Sequence, residues 1–217
     1  MPKNQRFEVI YSQGTITATE TWVDRETGVN YLYHAAGYSG GLTPLLNSNG
    51  NPIISKIEKE YLYMIKIMFV CHGNICRSPM AEFVLKDMVK QKGLQKDFMI
   101  CSSATSTEEI FNGVGNPIYP PAKAVLEAHG ICLSGKRAVQ LKASDYDKYD
   151  LFIGMDSANI KNMNRILGGD KSGKIHKLLE YANSPADVSD PWYTRDFNRC
   201  YNDIYKGCKA LLEVLAE

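Results

Sequence analysis

No apolar run in this 217-residue sequence is long enough to cross a bilayer. The longest, around Met64 to Cys71, is short and carries Lys66 inside it. The opening residues, MPKNQRFEVIYSQ, have no apolar stretch or small-residue cleavage site behind them, so no export signal is expected. An excess of one charge is missing too. Lys and Arg number 25 against 24 Asp and Glu, a formal net charge of +1, which argues against a global electrostatic grip on nucleic acid or a membrane. Six cysteines in a chain of this length make no dense disulfide framework. Reduced thiols in the cytoplasm are therefore the expectation, and any cysteine is judged on its reactivity. Asp24, Glu26 and His34 lack ligand spacing, so neither a metal nor another cofactor is expected.

What is present reads as a soluble globular chain, 44% hydrophobic and 23% charged. Its texture changes near residues 50–64. Before that point RFEVIYSQ, TITATETWV and VNYLYHA are short β-branched and aromatic runs. Turn signals separate them at Asp24 to Gly28, Gly37 to Gly41 and Ser48 to Pro52. This predicts a small β-rich domain over residues 1–55, a linker over 56–63 with a short connecting helix in ISKIEKEYLYM, and a second domain over 64–217. A first domain of that size buries a thin core, so docking or a homodimer formed through it is a further expectation.

After Met64 strands and helices alternate: IKIMFVC, SPMAEFVLKDMVKQKG, FMICSSA, PPAKAVLEAHG, LFIGM, SANIKNMNRIL and finally FNRCYNDIYKGCKALLEVLA. The pattern predicts an α/β domain, a parallel sheet with helices on both faces, whose ligand site lies beyond the carboxyl ends of the strands. Ser78 is the expected N-cap of the first helix, with Pro79 at its first position and Gly130 closing the second helix.

Cys71-His72-Gly73-Asn74-Ile75-Cys76-Arg77-Ser78 joins the first of these strands to its helix. A loop in this place points backbone N–H groups at an anion, and the helix dipole adds positive potential. That potential favours a thiolate at Cys71, a nucleophile. Arg77 brings a planar fork for two phosphate oxygens. Gly73 and Asn74 tolerate left-handed backbone, and the Ser78 hydroxyl can donate to the sulfur. A buried structural cysteine beside a surface arginine is the plain alternative.

CHGNICRSPMAE resembles the active-site loop of the low-molecular-weight protein tyrosine phosphatases. The resemblance continues through SSATS, GNP, EAHGI, DYDKYDLFIGMD and Asp190-Pro191-Trp192-Tyr193, across about residues 64–217. It implies that Cys71 attacks phosphorus to form a cysteinyl-phosphate, that Arg77 and the loop from His72 to Ser78 hold the phosphate, and that Asp190 is general acid and then base. Asp187 ranks second for that role. It further implies that Trp192 and Tyr193 wall the substrate ring, that Ser102 supports the loop, and that Cys76 can form a protective disulfide with Cys71. The implied partner is a phosphotyrosine protein or peptide, with inorganic phosphate as product.

Several positions depart from the family pattern. His72 replaces a commonly apolar residue and is expected to lie in solvent. Lys136 stands near the place of a histidine in the polar network, and Glu108 replaces an aromatic for which Phe111 is the expected substitute. Phosphoarginine phosphatases carry threonine where Ile75 stands, so Ile75 favours phosphotyrosine. Arsenate reductases of this fold need a resolving cysteine pair, for which Cys200 and Cys208 are poorly placed. Lys136, Arg137 and Lys171 to Lys177 read as solvated surface. The first domain weakly resembles a short bacterial domain of uncharacterised function, through DRETGVNYLY and GGLTPLLNSNGNP.

Overall fold

A computed structural model describes residues 6–14, 17–55, 64–133 and 135–216, and the expected connecting helix in 56–63 lies outside them. The chain divides into two compact units, Met1–Leu62 and Tyr63–Glu217.

The first unit is an antiparallel meander of β1 (Phe7–Gln13), β2 (Thr17–Asp24), β3 (Asn30–Ala36) and β4 (Ser39–Pro44), paired in that order. Directly opposed residues share a face, so Val9, Trp22, Tyr31 and Pro44 line up across the strands. The Phe7 ring meets Tyr31 edge-on at 5.7 Å, and Trp22 lies 5.0 Å from Tyr33. The turn after β2 is organised by buried Asp24, which accepts from Arg6 Nη2 at 2.9 Å, Glu26 N at 3.0 Å and Thr27 Oγ1 at 3.0 Å. The Arg6 hydrogen bond holds its carboxyl far below the usual carboxylate range. The turn signal at Gly37 to Gly41 extends too far, because Gly40 and Gly41 belong to β4. A Cβ on Gly40 would sit 2.9 Å from Tyr33 Oη, so glycine here makes room for a cross-strand ring.

The second unit is built on a parallel sheet of order β10-β9-β5-β6: β5 (Ile65–Cys71), β6 (Phe98–Ala104), β9 (Leu151–Gly154) and β10 (Ile175–Lys177). The small hairpin of β7 (Ile110–Phe111) and β8 (Val114–Gly115) stands apart from it. Central β5 is buried on both faces. Ile67, Phe69 and Cys71 enter one apolar cluster, while Met68 and Val70 enter the other. The first cluster takes side chains from α1 (Arg77–Gln91), α2 (Pro120–Ala128) and α5 (Phe197–Leu215). The second takes Met163 and Leu167 from α3 (Ser157–Leu167). A short α4 (Pro191–Thr194) precedes α5. This is the expected α/β architecture, and Gly130, at φ 74°, follows α2 as expected.

Two expectations need correction. Helix α1 begins at Arg77 with Cys76 as its N-cap and no side-chain cap, because the Ser78 hydroxyl is committed to Cys71 instead. The stretch from Lys171 to Lys177 is not simply solvated. It contains β10, Lys174 Nζ donates to the carbonyls of Tyr146 and Tyr149 at 2.9 and 3.0 Å, and Lys177 pairs with Asp187 at 3.1 Å.

Gly207 marks the closest approach of α5 to the core, since a Cβ there would fall 2.5 Å from Leu178 Cγ. Gly207→Ala is expected to destabilise this unit by about 1–2 kcal/mol, overpacking of roughly 1–3 kcal/mol offset by about 1 kcal/mol of helix propensity. Urea denaturation measures it, and an unchanged or higher midpoint contradicts the packing argument.

Candidate active site

The loop from Cys71 to Ser78 leaves the carboxyl end of the central strand and enters α1. Its carbonyls are tied to neighbours: Cys71 O accepts from Thr105 N, His72 O from Ser106 N and Ile75 O from Tyr119 N, each at 2.9 Å. This turns carbonyls away from the site. Asn74 adopts the left-handed conformation at φ 56° and brings its N–H to 3.3 Å from Cys71 Sγ. Ser78 Oγ lies 3.0 Å from the same sulfur. The Asn74 carboxamide donates to Ser78 Oγ at 2.9 Å and Ser102 Oγ at 2.8 Å, and accepts from Val139 N at 3.0 Å. Gly73 is not left-handed. Its place follows from close approach, because a Cβ there would meet Glu109 Cγ at 3.0 Å.

Arg77 is buried. Its Nη1 lies 2.6 Å from Asp156 Oδ2 and its Nη2 2.7 Å from Asp190 Oδ2. Burial alone would lower its pKa. The negative charges of Cys71, Asp190 and Asp156 outweigh that, and the guanidinium is held above its ordinary value. Each aspartate also caps a helix: Asp156 Oδ1 accepts from Asn159 N at 2.6 Å, and Asp190 Oδ1 from Trp192 N at 2.9 Å.

Cys71, Arg77 and Asp190 line one cavity of about 420 Å³, with Ile75, Trp192 and Tyr193 among its walls. Trp192 meets Tyr119 edge-on at 5.8 Å, and Tyr193 stands out in solvent. Such a cavity offers a sulfur, a cation and a carboxyl group to one tetrahedral anion.

A model of the family described as low molecular weight phosphotyrosine protein phosphatase matches residues 66–217. The chain belongs to that family. Residues 6–55 match a separate family of unknown function. The low molecular weight protein-tyrosine-phosphatase YfkJ of Bacillus subtilis is 37% identical over 151 residues, 69% of this chain and 94% of its own length. Its crystal structure matches with a TM-score of 0.66 over 70% of this chain and 95% of that one. SP-PTP, a low molecular weight protein tyrosine phosphatase from Streptococcus pyogenes, is 40% identical with a TM-score of 0.61, over 70% of this chain and 93% of its own. A Drosophila arginine phosphatase is 26% identical, with a TM-score of 0.63 over 70% of this chain and 99% of its own.

Within this phosphatase unit some departures resolve differently from the sequence reading. His72 does not simply lie in solvent, because its Nε2 is 2.8 Å from Glu108 Oε2 at the rim of the cavity. Phe111 is exposed on β7 and is not part of the cavity lining, where Glu108 and Glu109 stand instead. Asp187 is engaged by Lys177 and by Ser157 Oγ at 3.2 Å, and does not line the cavity with Cys71. Lys136 and Arg137 are bound inward: Lys136 Nζ donates to Ser102 O, and Arg137 Nη1 to Gly115 O, each at 2.9 Å. Sequence reasoning assigned no role to Asp156. Its signal was an aspartate at the carboxyl end of a strand, directly before a helix.

Cys200 and Cys208 sit on the buried face of α5, where burial pushes both thiols up. Burial first, then the charges of Cys71 and Asp190, pushes the Cys76 thiol up to about 12. A raised thiol pKa keeps the neutral form across the neutral range and yields thiolate only as pH climbs toward that value. Near neutral pH, iodoacetamide is therefore expected to modify Cys76 about a hundredfold more slowly than exposed Cys132, with the gap closing in alkali. Peptide mass mapping of a time course measures this, and equal rates contradict it.

Proposed function

We propose that this chain hydrolyses phosphotyrosine in proteins or peptides through a covalent cysteinyl-phosphate. The observation that carries the reading is the meeting of Cys71, Arg77 and Asp190 in one cavity at the end of β5. In the first step the Cys71 sulfur forms a bond to phosphorus as the phosphorus–oxygen bond to the tyrosine breaks, and Asp190 gives its proton to the departing phenolate oxygen. In the second, water attacks the phosphocysteine, Asp190 takes its proton, and the sulfur leaves as inorganic phosphate forms. Arg77 and the amides of the loop, His72 to Ser78, gather the charge on the non-bridging oxygens in both steps.

An aromatic leaving group suits these walls. Branched apolar Ile75 and the indole of Trp192 flank a slot for a flat ring, and Tyr193 extends it outward. Ser102 supports the loop through Asn74. The chemistry drawn here uses only side chains and water, and the assay that tests it contains no added metal. Cytoplasmic residence belongs to the same proposal, supported by a full set of free thiols among the described residues. Self-association through the first unit belongs to it as well, with Val9, Ile10, Tyr11 and Leu42 each about half exposed on β1 and β4.

Phosphate release from a phosphotyrosine peptide is expected for the wild type and absent in Cys71→Ser. Asp190→Asn should slow it by about 10²–10⁴-fold, the usual worth of a general acid. Arg77→Lys should cost about 10²–10³-fold, since an ammonium lacks the planar fork. Faster release from a phosphoarginine peptide would overturn the choice of substrate while leaving the cysteine chemistry standing. Full activity in Cys71→Ser would overturn the mechanism.

A further inference from the structure

Lys136 is the least expected residue around the loop. It follows α2 in sequence, its side chain is only 13% exposed, and it does not line the cavity with Cys71. Its Nζ donates to Ser102 O at 2.9 Å and lies 3.2 Å from Glu82 Oε2. Glu82, on α1, is 4% exposed, and Lys86 holds its other oxygen.

The hydrogen-bond directions follow from which groups own protons. An ammonium only donates, and a carboxylate with a lysine on each oxygen only accepts. Ser102 has one hydroxyl proton, and its Oγ is 2.6 Å from Glu82 Oε2, so the proton goes there. Ser102 Oγ can then only accept from Asn74 Nδ2. Val139 N–H binds Asn74 Oδ1, which fixes the orientation of the carboxamide and sends its second N–H proton to Ser78 Oγ. The Ser78 oxygen thus receives a proton from behind. Its own proton has Cys71 Sγ at 3.0 Å as the near acceptor, with Ser103 O more distant at 3.5 Å.

We infer that Lys136 is a positioning residue of the phosphatase site: by anchoring Glu82 and the Ser102 carbonyl, it sets the direction of a hydrogen-bond chain that ends with Ser78 donating to the Cys71 sulfur. The inference rests on the reading of Cys71 as nucleophile. Its consequence is selective. The donor at the sulfur acts on attack and on departure from the phosphocysteine, whereas the phosphate itself is held by Arg77 and the loop amides. Loss of Lys136 therefore lowers kcat and the reactivity of Cys71 and leaves affinity for the anion nearly intact.

The test uses the full chain with Lys136→Met, Lys136→Arg, Glu82→Gln and the Lys136→Met/Glu82→Gln double variant. For each, kcat and KM on a phosphotyrosine peptide, the inhibition constant of inorganic phosphate, the rate of inactivation by iodoacetate and the melting temperature are measured. In Lys136→Met, kcat and the inactivation rate are expected to fall together by about tenfold, the worth of one oriented hydrogen bond, with phosphate inhibition changed by less than about threefold. Lys136→Arg should recover most of the loss, and the double variant should be no slower than the slower single one. Unchanged kcat and inactivation in Lys136→Met overturn the inference, as do additive losses in the double variant or losses that merely follow the melting temperature. If Lys136→Met fails to fold, Glu82→Gln carries the same comparison. Absence of turnover in the wild type would instead count against the phosphatase reading, and the iodoacetate rates would still decide the role of Lys136.

Discussion

The side chain of Asn74 is the tie on which the site depends. A non-glycine residue in left-handed backbone costs about 1–2 kcal/mol, and Asn74 sits there at φ 56°. Hydrogen bonds from its carboxamide to Ser78 and Ser102, and from Val139 to it, each contribute about 1 kcal/mol and hold that conformation in place. The reward is a backbone N–H aimed at the Cys71 sulfur. Behind it, β5 is buried on both faces and paired on both edges, so the cysteine at its end has little freedom to drift. The loop is thus a strained segment clamped to the most rigid strand of the unit.

Charge organisation follows from the same economy of groups. Asp156 and Asp190 each cap a helix with one oxygen and hold Arg77 with the other. Movement of the guanidinium is thereby coupled to the starts of α3 and α4. In the proposed reaction a phosphate dianion competes with Asp190 for the Arg77 fork. Entry of substrate then frees the Asp190 oxygen to face the leaving group, so the anion being cleaved helps to release the acid that assists its cleavage.

Much of this was legible in the sequence, for identifiable reasons. The β5 run is apolar because both faces are covered, the loop residues carry chemistry in their types, and Asp190-Pro191 marks a helix start. What escaped reading depended on contacts distant along the chain. Gly40 and Gly41 look like a turn until the Tyr33 ring is seen to need the space. Strand β10 is three residues long and basic, with no periodicity to reveal it. Ser78 fits the pattern of a helix cap, and only the sulfur at 3.0 Å explains why its hydroxyl is spent elsewhere. Lys136 reads as surface because burial of a lysine becomes tolerable only beside a carboxylate such as Glu82, which lies far away in sequence.

The central claim is that phosphate passes through the Cys71 sulfur. Rapid acid quench of the protein mixed with a phosphotyrosine peptide, followed by peptide mass spectrometry, tests it most directly. The account predicts one phosphoryl group on the peptide containing Cys71, accumulating within the first turnover and lost as phosphate is released. Release of phosphate without any such adduct, or an adduct on another residue, would contradict it.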